Sequence, residues 1–167
     1  MATRREERKS VLLNDLVSPV NPLVVGLLRS PLHFIASKGL MVLSWSGRKS
    51  GRSFSIPVGC QVDGDAVIVL LSKPNEKSWW KNFRTPWPAE LLIERRRRAV
   101  VGEWLEPGDA EFFQRVETTL RRLPWMGSQF GGIRYDKEKG LGEDQRRIVC
   151  EKAGVVRFEP TVGSHAE

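Results

Sequence analysis

Two cysteines, two histidines and a single tyrosine are all that 167 residues supply of the side chains most used for metal binding, nucleophilic attack and proton transfer. Cys60 and Cys150 are too few and too isolated for a disulfide framework or a zinc site, which points to a reducing, cytoplasmic setting and away from metal chemistry. His33 and His165 give a Ser-His-Asp triad little to work with, and His33 reads as a packing or helix-surface residue. Long apolar runs are missing as well. From Leu16 to Leu43 the chain is apolar-rich, but Pro19, Pro22, Arg29, Pro31 and Lys38 interrupt it. A spanning helix needs roughly 18 unbroken apolar residues, so none is expected. The opening residues mix Arg4, Arg5, Arg8 and Lys9 with Glu6 and Glu7, a pattern unlike a secretory signal. No internal repeat or low-complexity segment stands out.

What the chain does have is core material and positive charge. Hydrophobic residues make up 40%, with six Trp and seven Phe, enough for one compact domain. The reading divides the chain into a basic, amphipathic extension over residues 1–20, a single domain over 21–160 and a flexible tail over 161–167. Lys and Arg number 27 against 20 Asp and Glu, a net charge of +7. That excess favours nucleic acid, anionic lipid or a multiply charged cofactor as a partner, without choosing among them.

Local signals supply the elements. Asn21-Pro22 and Ser30-Pro31 each open a short helix, with a capping residue followed by proline at the first helical position. Leu40 to Trp45 reads as a buried strand, and Phe54 to Val62 alternates with period two as another. Asp63-Gly64-Asp65 turns the chain into a strand from Ala66 to Leu71. Ser78 is placed to cap a short helix through Phe83. Strands at Glu90–Ile93 and Ala99–Leu105 flank Arg95 to Arg98, putting that basic run at a hairpin tip. After Pro107-Gly108-Asp109, the spacing of Phe112, Phe113, Val116, Leu120 and Leu123 predicts the clearest helix in the chain. Pro124 to Gly142 is glycine-rich and irregular, a candidate lid. Glu143 to Lys152 predicts a last helix, Val155 to Phe158 a closing strand, and Glu159 onward a frayed tail. Regular short strands with turn signals describe a mainly β, antiparallel barrel with peripheral helices.

One turn concentrates the charge. Gly47-Arg48-Lys49-Ser50-Gly51-Arg52 packs three cations and two glycines between two strands. It reads either as a solvated hairpin or as a donor-rich loop for a phosphate or carboxylate tail.

That turn belongs to a longer pattern. In order follow Pro57-Val58-Gly59, Asp63-Gly64-Asp65, Ser72-Lys73 and Trp79-x-x-Asn82. Together these resemble the deazaflavin (coenzyme F-420)-dependent nitroreductase and quinone reductase family, over roughly Asn21 to Leu105. The resemblance implies a split β-barrel related to the flavin-mononucleotide-binding barrels, and a homodimer. It also implies a reduced 8-hydroxy-5-deazaflavin coenzyme, with Arg48 and Lys49 on its phosphate and acidic tail and Ser50 alongside. Pro57, Ser72, Lys73, Trp79 and Asn82 are implied near the phosphate or the ring, with Trp79 and Trp80 as a flat dry wall. Tyr135 is then the candidate proton donor. The implied reaction passes a hydride to a small-molecule acceptor: a quinone, nitroaromatic or activated alkene. Where members of the best-understood branch often carry another cation after the turn, this chain has Phe54.

Other readings compete with this one. The same barrel holds flavin mononucleotide as a second choice, or haem. Arg95 to Arg98 with neighbouring aromatics suggests a nucleic-acid module, but no recognised motif accompanies it, so no nucleic acid is expected. The N-terminal cations preceding Val11-Leu12-Leu13 suggest peripheral contact with an anionic membrane, on its inner face.

Overall fold

The computed structural model describes residues 39–161. The helices expected at Asn21 and Ser30, His33, the basic extension and the tail beyond Thr161 lie outside the described residues. Seven strands follow in order: β1 (Leu40–Ser46), β2 (Ser53–Gly59), β3 (Gln61–Asp63), β4 (Ala66–Ser72), β5 (Trp87–Ile93), β6 (Arg96–Leu105) and β7 (Ala153–Pro160). They form one antiparallel sheet in the order β2-β1-β5-β6-β7-β4-β3.

The two edge strands of that sheet are consecutive in sequence, with Cys60 alone between them. A chain that leaves one edge and immediately joins the other forces the sheet to curl, and β2 accordingly comes up against β4. The result is a split barrel. The alternating stretch Phe54 to Val62, expected as one strand, is therefore two. Its first part pairs with β1 from Gly59↔Leu40 to Ser53↔Ser46, its second with β4 from Gln61↔Ile68 to Asp63↔Ala66. At the change of partner the Cys60 N–H donates to the Gly39 carbonyl at 2.8 Å.

Strand alternation sorts the apolar residues into two cores. Along β4, Val67, Val69 and Leu71 face the barrel interior with Met41, Leu43, Trp45, Phe83, Leu91 and Phe158. Ile68 and Leu70 face outward to a helical layer. That layer contains α1 (Ala110–Arg122) and α2 (Glu143–Lys152), both where the sequence predicts helices. Helix α1 buries Phe112, Val116 and Leu120, one residue per turn on one face. At about 1.5–3 kcal/mol for each fully buried side chain, this stripe is the main attachment of the helix. A charged clamp reinforces it: Arg157 on β7 reaches Glu111 at 2.6 Å and Glu103 at 2.9 Å, while Arg115 pairs with Glu111 and Asp63. Burial works to raise the Glu111 pKa, but the bonds from Arg157 and Arg115 outweigh it and hold the carboxyl below its usual range.

The segment 124–142, expected as a lid, is instead part of the helical layer. Pro124–Phe130 forms 3-10 turns, and Phe130, Ile133 and Leu141 are buried against α1. The buried periodicity was hidden because these three residues sit at irregular intervals among glycines.

The antiparallel topology gives the barrel two ends. At one lie the β1–β2 turn, the start of β5, the close of β4 at Ser72 and the 3-10 segment Trp79–Phe83. At the other lie the Gly64-Asp65 turn and the β5–β6 hairpin tip. The tip itself is Glu94-Arg95, with Arg96 to Arg98 already inside β6.

Candidate functional site

The pieces of the sequence pattern that lie 25 to 35 residues apart meet at the first of these ends. The β1–β2 turn is closed by two backbone bonds, Gly47 N–H to the Arg52 carbonyl and Gly51 N–H to the Gly47 carbonyl, both 2.8 Å. Gly51 has φ +64°, which a side chain would strain. The Ser50 hydroxyl accepts the Arg52 backbone N–H at 3.3 Å, so it steadies the loop from within.

Arg48 does not reach outward. Its Nε donates to the Asn82 carbonyl at 2.8 Å and one Nη to the carbonyls of Thr85 and Pro86 at 2.7 and 3.0 Å. The guanidinium lies over the Trp87 ring, 4.1 Å from its centroid. Asn82 completes the staple: its Oδ1 accepts the Arg48 backbone N–H at 3.1 Å, and its Nδ2 donates to the Trp79 carbonyl at 2.9 Å. The Nε and one Nη of Arg48, the residue expected on the phosphate and acidic tail, are bonded to these carbonyls. Arg48 and Asn82 seat the turn on the Trp79–Phe83 segment. Lys49 and Arg52 remain as exposed cations with no side-chain partner among the described residues.

Behind the turn stands a set of aromatic rings facing the barrel interior. Trp45 stacks on Phe54 at 5.4 Å and 21°, an arrangement set by their direct pairing across β1 and β2. Trp79 meets Trp45 at 6.2 Å and Phe83 at 6.1 Å. Sequence reasoning passed over Trp45, Phe54 and Trp87. Counting the hairpin register outward from the turn would have found the first two, since Ser46↔Ser53 makes Trp45↔Phe54 the next pair. Trp80, the other half of the expected wall, stacks on Trp104 at 4.0 Å and donates its Nε1–H to the Pro74 carbonyl at 2.8 Å.

The remaining expected residues are placed less centrally. Ser72 ends β4 at the same end of the barrel, paired with Ala153, and its carbonyl accepts a bond from the Lys77 ammonium. Lys73 follows in the left-handed region at φ 50°, uncommon for a residue with a side chain, and its Nζ lies 3.3 Å from Glu76. Pro57 sits opposite Val42 on edge strand β2, where a missing N–H breaks no ladder, and faces outward. Tyr135 is separated from the site: its ring packs in the helical layer and its hydroxyl accepts the Arg121 Nε–H at 3.0 Å. The sheet stands between that hydroxyl and the aromatic rings, so a proton-donor role there within one chain is not supported. Cys60 offers no nucleophile, since burial, aided by Glu94, pushes its thiol up to about 11.

Among the described residues there is no cluster of His, Cys, Asp and Glu able to hold a metal, and no helix long and apolar enough to cross a membrane. The site offers instead two free cations on a glycine turn beside a partly exposed aromatic surface. That combination suits a planar ring system carrying an anionic chain.

Comparison with known proteins agrees on the fold. Neither a protein-family model nor a curated protein sequence matches the chain. Solved structures do. One described as a domain-swapped dimer is 14% identical, with 93% of this chain and 96% of that one covered at a TM-score of 0.54. HutZ, the haem storage protein from Vibrio cholerae, is 13% identical over 78% of this chain and 87% of its own, at 0.51. A pyridoxamine 5'-phosphate oxidase-related, FMN-binding protein from Nostoc punctiforme is 8% identical over 86% and 81%, also at 0.51. The matches also include an F420-H2 dependent reductase at 0.49. At these identities the likeness is one of fold, and the chain has the split barrel found in flavin- and haem-binding proteins.

Proposed function

We propose that this chain binds a reduced 8-hydroxy-5-deazaflavin coenzyme at the turn end of the barrel and acts as a two-electron reductase. When bound, such a coenzyme supplies hydride to a quinone, nitroaromatic or activated alkene. The observation that carries the reading is the convergence of Gly47 to Arg52 with Trp79-x-x-Asn82 through the Arg48–Asn82 staple. Residues whose spacing matched the family only as a string are bonded to one another in space.

The residues present divide the work of binding. Lys49 and Arg52 hold the phosphate and acidic tail, with Ser50 shaping the loop between them. Trp79 and its aromatic neighbours give the ring a dry face, which keeps water from the reacting carbon. Ser72 and Lys73 border the ring from the end of β4. A second chain pairs with the first as a homodimer, in keeping with the resemblance.

Flavin mononucleotide is the second reading, since one phosphate also suits the turn. Haem is the third reading, held by the same fold. Titration of the purified protein with each cofactor, followed by fluorescence or absorbance, separates the three. Deazaflavin is expected to bind tightest, with affinity falling in Lys49→Ala and Arg52→Ala. A protein that ignores the deazaflavin but binds flavin mononucleotide would refute the reading.

A further inference from the structure

We infer that the Trp45 indole N–H is a coenzyme-binding donor, and that Phe54 is the cover a planar ring must displace to reach it. This rests on the reading above that the turn end of the barrel takes a coenzyme. Trp45 is 3% exposed, and its Nε1 has no hydrogen-bond partner among the described residues. Buried donors are nearly always paired, and an unpaired one calls for a reason. The neighbouring indoles obey the rule: Trp80 donates to the Pro74 carbonyl and Trp87 to the Ser46 carbonyl, at 2.8 and 2.7 Å. The other buried unpaired nitrogen, Arg157 Nε, still lies 3.3 Å from the Glu159 carboxylate.

Phe54 is the complementary oddity. It is 42% exposed, one of three large hydrophobic residues so exposed among those described, while one face of its ring covers Trp45. It sits on an edge strand two residues beyond the turn that bears Lys49 and Arg52. Gly47 makes the position possible: a Cβ there would lie 2.9 Å from the Phe54 ring. Phe54 thus holds a flat ring against Trp45 at the place where the anionic chain of a ligand is gripped. With Phe54 moved aside, the edge of a deazaflavin or flavin ring can meet the edge of the indole and present a pyrimidinedione carbonyl to the Nε1–H in the indole plane. The pair Trp45 and Phe54 therefore favours planar ligands with an acceptor at their edge.

The test uses the full chain as wild type, Trp45→Phe, Phe54→Ala and Lys49→Ala, titrated with the deazaflavin coenzyme and with flavin mononucleotide. Trp45→Phe keeps a ring but removes the donor, and its affinity is expected to fall about tenfold. Its Tm should stay level or rise, because an unpaired buried N–H is lost; a purely structural tryptophan would lower Tm and leave affinity alone. Phe54→Ala removes the cover and should bind about fivefold tighter, the ring no longer having to be displaced. Its Trp45 indole proton, identified in nuclear magnetic resonance spectra by its loss in Trp45→Phe, should exchange faster with solvent. Wild-type affinity in Trp45→Phe, or weaker binding in Phe54→Ala, with Lys49→Ala still impaired, overturns this inference and leaves the function standing. No binding of either cofactor to the wild type overturns both.

Discussion

The β1–β2 turn carries Arg48, Lys49 and Arg52, and the β5–β6 hairpin at the opposite end of the barrel carries Arg95 to Arg98. Their charge is similar and their surroundings are not. At the first, glycines allow a close turn, Arg48 is folded inward onto carbonyls and Trp87, and two free cations border an aromatic surface. At the second, Glu94 and Arg95 occupy the left-handed region at φ 47° and 68°, a two-residue turn made without its preferred glycine. Arg97 pairs with Glu90 at 2.7 Å, and among the described residues no aromatic ring stacks on any of the four arginines. Counting cations would rank the second turn higher. A ligand site needs free charge beside a surface that the rest of the ligand can cover, and the first turn has both.

Four variants sharpen or break this contrast, taken from the largest expected effect. Replacing Lys49 and Arg52 together by alanine should weaken coenzyme binding about thirtyfold or more, each cation contributing a charge-assisted bond; calorimetric titration measures it. Arg48→Ala should act through folding. Loss of three bonds to exposed carbonyls is expected to cost about 1–2 kcal/mol, read as a Tm drop of a few degrees. A small Tm change with a large affinity loss would return Arg48 to the ligand. At the other turn, Glu94→Asn with Arg95→Gly should raise stability by about 1 kcal/mol, checked by urea unfolding, since both residues then suit φ > 0. Changing Arg95, Arg96 and Arg98 to serine should leave coenzyme affinity within about twofold, because an exposed, distant charge is screened by salt. A larger loss there would mean that net charge, not the turn, attracts the ligand.

Much of the fold was legible in the sequence. Apolar runs and the Asp63-Gly64 turn marked most of the strands, although the alternating stretch Phe54 to Val62 is two strands and not one, and the spacing from Phe112 to Leu120 marked α1, because each is a local rule. The pairing of β4 with β7, which joins Val67 to Phe158, leaves no local trace. The inward turn of Arg48 was likewise hidden: its partners are backbone carbonyls at positions 82, 85 and 86, and carbonyls have no sequence signature. Tyr135 shows the opposite case. It was singled out as the lone phenol, while the fold uses it to tie a loop to Arg121.

The passage through Cys60 has a consequence for how the chain can change. Hydrogen bonds join the other strands of this barrel, but its two margins are riveted by consecutive peptide bonds. Side chains alternate at every step, so one residue added at that rivet would turn either Ile56 and Val58 or the whole of β3 inside out. Length is therefore frozen there, while a change of length in the turn only eight residues upstream leaves the facing of every strand residue unchanged. Variation of the ligand grip and permanence of the hoop are housed in one short stretch of chain.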